Sequence, residues 1–198
     1  MQKKTIIILA VVLGVLFLGY QWVSGAYNSL VRLDEGVTSA WAQVQNQYQR
    51  RLDLIPNLVE VVKGYAAHER DVFEKVAEAR SSVGKIQMTA EVLKDPQLFQ
   101  KFQEAQAGLT SVLSRLLAVA ENYPQLKANE NFLQLQAQLE GTENRIAVER
   151  QRFNEIVREY NTKIRLFPTS LFAGMFGFGQ KQYFQSEPGA EKAPQVKF

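Results

Sequence analysis

Residues 27–62 read YNSLVRLDEGVTSAWAQVQNQYQRRLDLIPNLVEVV. With Tyr27 as position a of a heptad, the a positions are Tyr27, Asp34, Trp41, Tyr48, Ile55, Val62, Glu69, Val76 and Val83. The d positions are Leu30, Val37, Val44, Arg51, Leu58, Tyr65, Val72, Ala79 and Ile86. Fifteen of these 18 are apolar, and a sustained seven-residue repeat is the mark of helices packed along their length. Strand alternation cannot generate it. Pro56 lacks an N–H and crowds the preceding turn, so a kink is expected near Ile55. Residues 81–95 read as a turn region. Asp95-Pro96 then supplies an N-cap followed by Pro at the first helical position.

Two further helices follow. Leu98, Phe102, Ala105, Leu109, Val112, Leu116, Val119 and Tyr123 form a second 3–4 stripe, widened by Phe99, Leu113 and Leu117, and Pro124 is expected to end it. Phe132, Leu139, Ile146, Phe153, Tyr160 and Phe167 recur at strict sevens in the last helix, whose other faces carry mixed charge. Gly141 is a soft spot there. The expected body is a long antiparallel three-helix bundle over residues 27–166.

Upstream, Thr5 to Val31 is a run of 27 positions without a charge. Ile6, Ile7, Ile8, Leu9, Val11, Val12, Leu13, Val15, Leu16, Phe17, Leu18 and Trp22 make it long enough to cross a hydrocarbon core, which takes about 20 residues. Tyr20, Trp22 and Tyr27 lie where an interfacial aromatic belt falls. The length favours an uncleaved anchor over residues 1–26. The rival is a cleaved signal peptide, for which Ser24-Gly25-Ala26 offers small residues. Lys3 and Lys4 precede the run, whereas Arg32 is offset by Asp34 and Glu35. The positive-inside rule thus favours a periplasmic or external body, with a cytoplasmic body as the alternative.

Composition removes many functions. There is no Cys and a single His, so thiolate chemistry, disulfides and multi-His metal sites are excluded. The formal charge of +3 is misleading, because Lys3 and Lys4 supply two of the three; from Tyr27 onward 21 basic residues face 20 acidic ones. Such a neutral body offers no counterion-release term for nucleic acid. His68 has neither a Glu-x-x-His nor a His-x-x-x-His companion, and reads as an ordinary surface or partly buried residue. Gly174, Gly177 and Gly179 lack the Lys-Ser/Thr ending of a phosphate loop. Gln43, Gln45, Gln47 and Gln49 read as helix formers on a wet face, with bonding to a neighbouring subunit as the alternative. No catalytic residue, metal site or cofactor is expected.

Several motifs carry a resemblance. They are Tyr27-Asn28-Ser29-Leu30-Val31, Trp41-Ala42-Gln43-Val44-Gln45, Arg51-Leu52-Asp53-Leu54-Ile55-Pro56-Asn57-Leu58-Val59, Glu140-Gly141-Thr142-Glu143-Asn144-Arg145-Ile146, Tyr160-Asn161 and Phe167-Pro168-Thr169. In this order they resemble the bacterial LemA family from about residue 25 to the C-terminus. The resemblance implies a membrane-anchored α-helical bundle, single-pass in the inner (plasma) membrane, and brings no catalytic residues.

Two features remain. Asp34, Arg51 and Glu69 occupy seam positions meant for apolar side chains. They are either polar layers that fix register, or places where the seam is exposed. The tail, residues 167–198, is irregular and apolar at its start, with Phe167, Leu171, Phe172, Met175, Phe176 and Phe178. It is too short and glycine-rich to span a bilayer, and needs a cover: its own bundle, another subunit or protein, or a membrane surface. With three helices the count of passes puts the start of the tail far from the bilayer, which disfavours the last. The reading that follows is an all-α, non-enzymatic scaffold. It is anchored in lipid by its N-terminal helix and self-associates as a homo-oligomer through its helical seams and tail. The alternative is a monomeric adaptor presenting the tail to a second membrane protein.

Overall fold

The computed structural model describes residues 2–86 and 89–185. Among these residues the secondary structure is entirely helical. The elements are α1 (Gln2–Lys63), α2 (Arg70–Gly84), a 3-10 turn (Ala90–Leu93), α3 (Pro96–Ala120), α4 (Pro124–Lys127), α5 (Glu130–Arg165) and α6 (Ser170–Ala173). Helix α1 is 62 residues long, so it extends about 93 Å at 1.5 Å per residue. It is the one helix, among the described residues, long and apolar enough to cross a membrane. It continues through residue 26 and through Pro56 without a break in helical assignment.

The long seam does break elsewhere. Helix α1 ends at Lys63, where the N–H groups of Gly64, Tyr65 and Ala66 close on the carbonyls of Glu60 and Val62. Residues 64–69 then turn the chain, and α2 is a separate helix. The heptad hides this turn because α2 presents Val76 and Val83 to the core in the phase α1 established. The expected body of three helices is thus corrected to four of 15 residues or more among the described residues. Helix α3 starts as expected, with Asp95 accepting from the N–H of Gln97 at 2.8 Å and of Leu98 at 3.2 Å. It stops at Ala120, short of Pro124, which instead opens α4. Asn129 caps α5 through the Phe132 N–H at 3.0 Å.

The contacts fix the directions. Gly36 faces Ile156, Arg51 reaches Glu143, and Asn129 donates to Tyr65, so α5 runs antiparallel to α1. Trp41 meets Phe99, and Arg51 meets Thr110, so α3 runs parallel to α1. Helix α2 returns along α3, with Tyr123 donating to Glu69 at 3.4 Å. The path is therefore out, back, out and back. The extra turn reverses the parity, and the tail starts beside the apolar end of α1, opposite to the sequence expectation.

The core falls into two clusters along this axis. The proximal one is aromatic, built on Trp41, Tyr48, Phe99, Phe102, Phe153, Tyr160 and Phe184 with Leu30, Val37 and Val44. The distal one is mainly aliphatic, built on Ile55, Leu58, Val62, Leu109, Leu113, Leu116 and Leu139, with the ring of Phe132. Helix α3 begins only at the level of Trp41. Nearer the membrane end, α1 and α5 are joined by the tail instead of a third helix.

Candidate functional site

The proximal end of the body is assembled from three segments. Helix α1 contributes Trp22 and Tyr27, α5 contributes its last turns, and the tail folds back over both. After α5 the chain makes the short helix α6 and reverses at Gly177, whose φ of +80° suits a residue without Cβ. There the Phe178 N–H bonds the Ala173 carbonyl at 2.9 Å. The Phe172 ring lies 5.9 Å from Trp22, and Phe176 and Phe178 lie 5.1 and 5.8 Å from Tyr27, all edge-on.

Past Gly179 the tail is held by side chains of α5. Asn161 donates to the Lys181 carbonyl at 2.9 Å and accepts from the Lys181 N–H at 3.0 Å. Asn154 does the same for Phe184, at 2.9 Å in each direction. The two asparagines replace a neighbouring strand, satisfying backbone groups that burial would otherwise leave unpaired. Tyr160 donates to the Gly179 carbonyl at 3.0 Å, and Arg150 to that of Gln185, also at 3.0 Å. Phe184 is thereby buried among Trp41, Phe99, Phe102 and Phe153. Burial, and secondarily the Asp34 carboxylate, push the Tyr160 phenol up to about 12.

The three polar seam residues each meet a different segment. Asp34 pairs with Lys181 of the tail at 2.8 Å. Arg51, 2% exposed, donates to Glu143 at 2.9 Å, to Thr110 at 3.0 Å, and to Gln106. Glu69 accepts from Tyr123. Arg51 and Gln106 also line a cleft of about 470 Å³ with Tyr48, Phe99, Gln103 and Glu143, closed on one side by Gln182, Tyr183 and Gln185. Among the described residues no group of three or more His, Asp or Glu is placed to hold a metal ion.

The tail residues read from sequence divide into two sets. Phe172 and Phe178 are half-buried against α1 and the proximal core. Phe167 and Met175 are 80% exposed, and Leu171 and Phe176 are exposed too. The anchor residues Ile6, Ile7, Ile8, Leu9, Val11, Val12, Leu13, Val15, Leu16, Phe17, Leu18 and Trp22 are all exposed on α1. Reading Tyr183 and Phe184 as further contacts of the tail anticipates the ring contacts of Phe184, whereas Asn154, Asn161, Gln106 and Glu143 were missed. A signal existed for the asparagines: Asn154 and Asn161 are seven apart, each beside a seam aromatic, Phe153 and Tyr160. Residues 186–198 of the tail lie outside the described residues.

Comparison with known proteins agrees with the family resemblance. Magnetosome protein MamQ 2 of Paramagnetospirillum magneticum is 27% identical over 181 residues, covering 83% of this chain and 66% of that protein. Magnetosome protein MamQ of Magnetospirillum gryphiswaldense is 26% identical, with the same coverages. Protein LemA of Metamycoplasma hominis is 24% identical over 164 residues, covering 82% of this chain and 70% of that protein. The chain thus spans just under two thirds of the length of the MamQ relatives. The model of the LemA family matches residues 40–198, four fifths of the sequence, and the chain belongs to that family.

Proposed function

We propose that this protein is a non-enzymatic membrane-anchored scaffold that self-associates laterally. The observation that carries it is the continuity of α1. One helix supplies both the apolar segment fit to span a bilayer and the spine of the body, with Leu30, Val37, Trp41, Val44, Ile55 and Val62 buried along it. A body built on its own anchor is held at a fixed attitude to the bilayer, which suits a structural element. The apolar N-terminal third of α1 supports placement in the inner membrane, and Lys3 and Lys4 favour a body on the periplasmic or external side.

The helical seams are spent inside the chain, so lateral contact falls to surfaces that remain apolar and open. One such surface is the groove between the end of α1 and α2, about 730 Å³, where Pro56, Val59 and Phe73 lie between Glu60, Lys63 and Arg80 over the buried Ile55 and Val76. Its proposed occupant is a second copy of the chain.

Light scattering of the detergent-purified full chain beside a fragment starting at Tyr27 tests this. A single discrete multimer in both supports the scaffold. Monomers in both defeat it, and leave the adaptor reading, in which the tail meets a different membrane protein.

A further inference from the structure

The apolar turn of the tail, residues 166–176, has an exposed face at a defined height on α1. The apolar run from Thr5 to Trp22 is 18 residues, about 27 Å of helix, close to the thickness of a hydrocarbon core. Trp22 therefore marks the outer boundary of the acyl region, and Tyr27 lies about 7 Å further out, at headgroup level. Phe172 packs on Trp22 and Phe176 on Tyr27, so the turn sits at that same height. On it, Leu166, Phe167, Leu171 and Met175 are 55–80% exposed.

From this geometry we infer that the tail is a second membrane contact. Leu166, Phe167, Leu171 and Met175 insert into the interface of the bilayer that α1 crosses, and lipid, rather than a second copy of the chain, is their cover. Apolar side chains at that depth are buried by the headgroup and acyl boundary without a protein partner. Arg165, exposed immediately before Leu166, and Lys163 in the same last turn of α5 are placed to meet lipid phosphates. The Asn154, Asn161 and Lys181 contacts lock the segment after the turn onto α5 and α1, so the turn is presented at the bilayer as a rigid wedge. With α1 it gives the body a two-point stance, which restrains tilt and rotation about the anchor.

The inference rests on the reading that α1 spans the bilayer, and it gives to lipid the tail face for which the sequence left the cover open. The absence of cysteine makes it directly testable. Four variants of the full chain, Leu13→Cys, Leu171→Cys, Met175→Cys and Val148→Cys, would carry a nitroxide in vesicles of phosphatidylcholine containing phosphatidylglycerol. All four positions are exposed, so the label disturbs no core. Collision rates with oxygen, which concentrates in lipid, and with a water-soluble nickel chelate, would be measured by power saturation.

At positions 171 and 175 the oxygen-to-nickel ratio should exceed that at position 148 by about threefold or more, with position 13 higher still. Water-like rates for both reagents at 171 and 175 overturn the inference. So does suppression of both reagents, the pattern of a protein cover. In either case lipid-like rates at position 13 leave the anchor reading standing. Water-like rates at position 13 overturn both.

Discussion

The two halves of the body solve the same packing problem with different materials. Distal to Arg51 the core is mainly aliphatic, with Phe132 as its buried ring, and Ile55, Leu58, Leu109, Leu113, Leu116 and Leu139 all come from regular helices. Proximal to Arg51 it is aromatic, and one of its central rings, Phe184, comes from a segment without regular structure. The boundary is drawn at one level on three helices. Arg51 lies between Tyr48 and Ile55 on α1, Gln106 between Phe102 and Leu109 on α3, and Glu143 between Leu139 and Ile146 on α5. The physical reason for the contrast lies in the number of helices available. At the level of Trp41 the helices are α1, α3 and α5, and Phe184 of the strapped tail, with Val92 and Leu93 of the 3-10 turn, fills the side left open. The distal half has α2 as well, and ordinary leucine packing suffices.

The largest expected effect separates the two halves directly. Trp41 touches Phe99, Phe102, Phe153 and Phe184 with ring centroids 5.4–6.1 Å apart. Trp41→Ala should cost about 3–5 kcal/mol, and should free the tail for proteolysis near residues 179–185. Leu116→Ala in the distal core should cost about 2–4 kcal/mol without exposing the tail. Thermal melts in detergent read the first quantity and limited proteolysis the second. Equal tail cleavage in the two variants would collapse the distinction.

The boundary layer comes next. Glu143→Ala leaves the buried Arg51 guanidinium without its carboxylate, and should destabilise by about 2–3 kcal/mol. Arg51→Leu removes the charge itself and should cost less, since apolar replacement of a buried ion pair is often tolerated. If Arg51→Leu leaves both thermal stability and assembly mass unchanged, the layer has no role in register.

Smaller again is the strap. Asn161→Ala removes two hydrogen bonds to Lys181 and leaves a buried N–H and carbonyl unpaired, for about 1–2 kcal/mol. Its signature is faster cleavage within the tail at unchanged helical content. The distal half should be indifferent to it, which hydrogen exchange along α2 would report.

How much of this could be read from the sequence follows the same division. Helices with a continuous apolar stripe were legible, because a seven-residue period survives any detail of the fold. The turn at 64–69 was not, because Gly64 is the sole breaker there and Val76 and Val83 continue the phase of α1. That one missed turn reversed the inferred position of the tail. That the tail could dock on its own bundle was legible from its apolar residues, but the clasp by α5 was not, since side-chain amides holding an irregular backbone impose no period on the residues they hold. Tyr183 and Phe184 stood out as aromatics of a polar extension able to make a contact, but nothing in the sequence told which of them enters the core. Asp34 and Arg51 stood out as misfits on the seam, but their partners Lys181 and Glu143 lie more than 90 residues away.

The effect least visible at neutral pH belongs to Tyr160, at the seam between α5 and the tail. Its phenol is raised from an ordinary 10 to about 12, first by burial and then by Asp34. The unfolded chain therefore releases this proton more readily than the folded one. The contribution to stability is complete below pH 10 and declines as pH rises from 10 to about 12. Melting temperatures across that window should fall more steeply for the native chain than for Tyr160→Phe, which lacks the proton. The Phe variant also loses the bond to the Gly179 carbonyl, so it should start lower at neutral pH. Parallel slopes would mean that the Tyr160 hydroxyl is open to water. The strap over the proximal core would then be a looser closure than the paired asparagines imply.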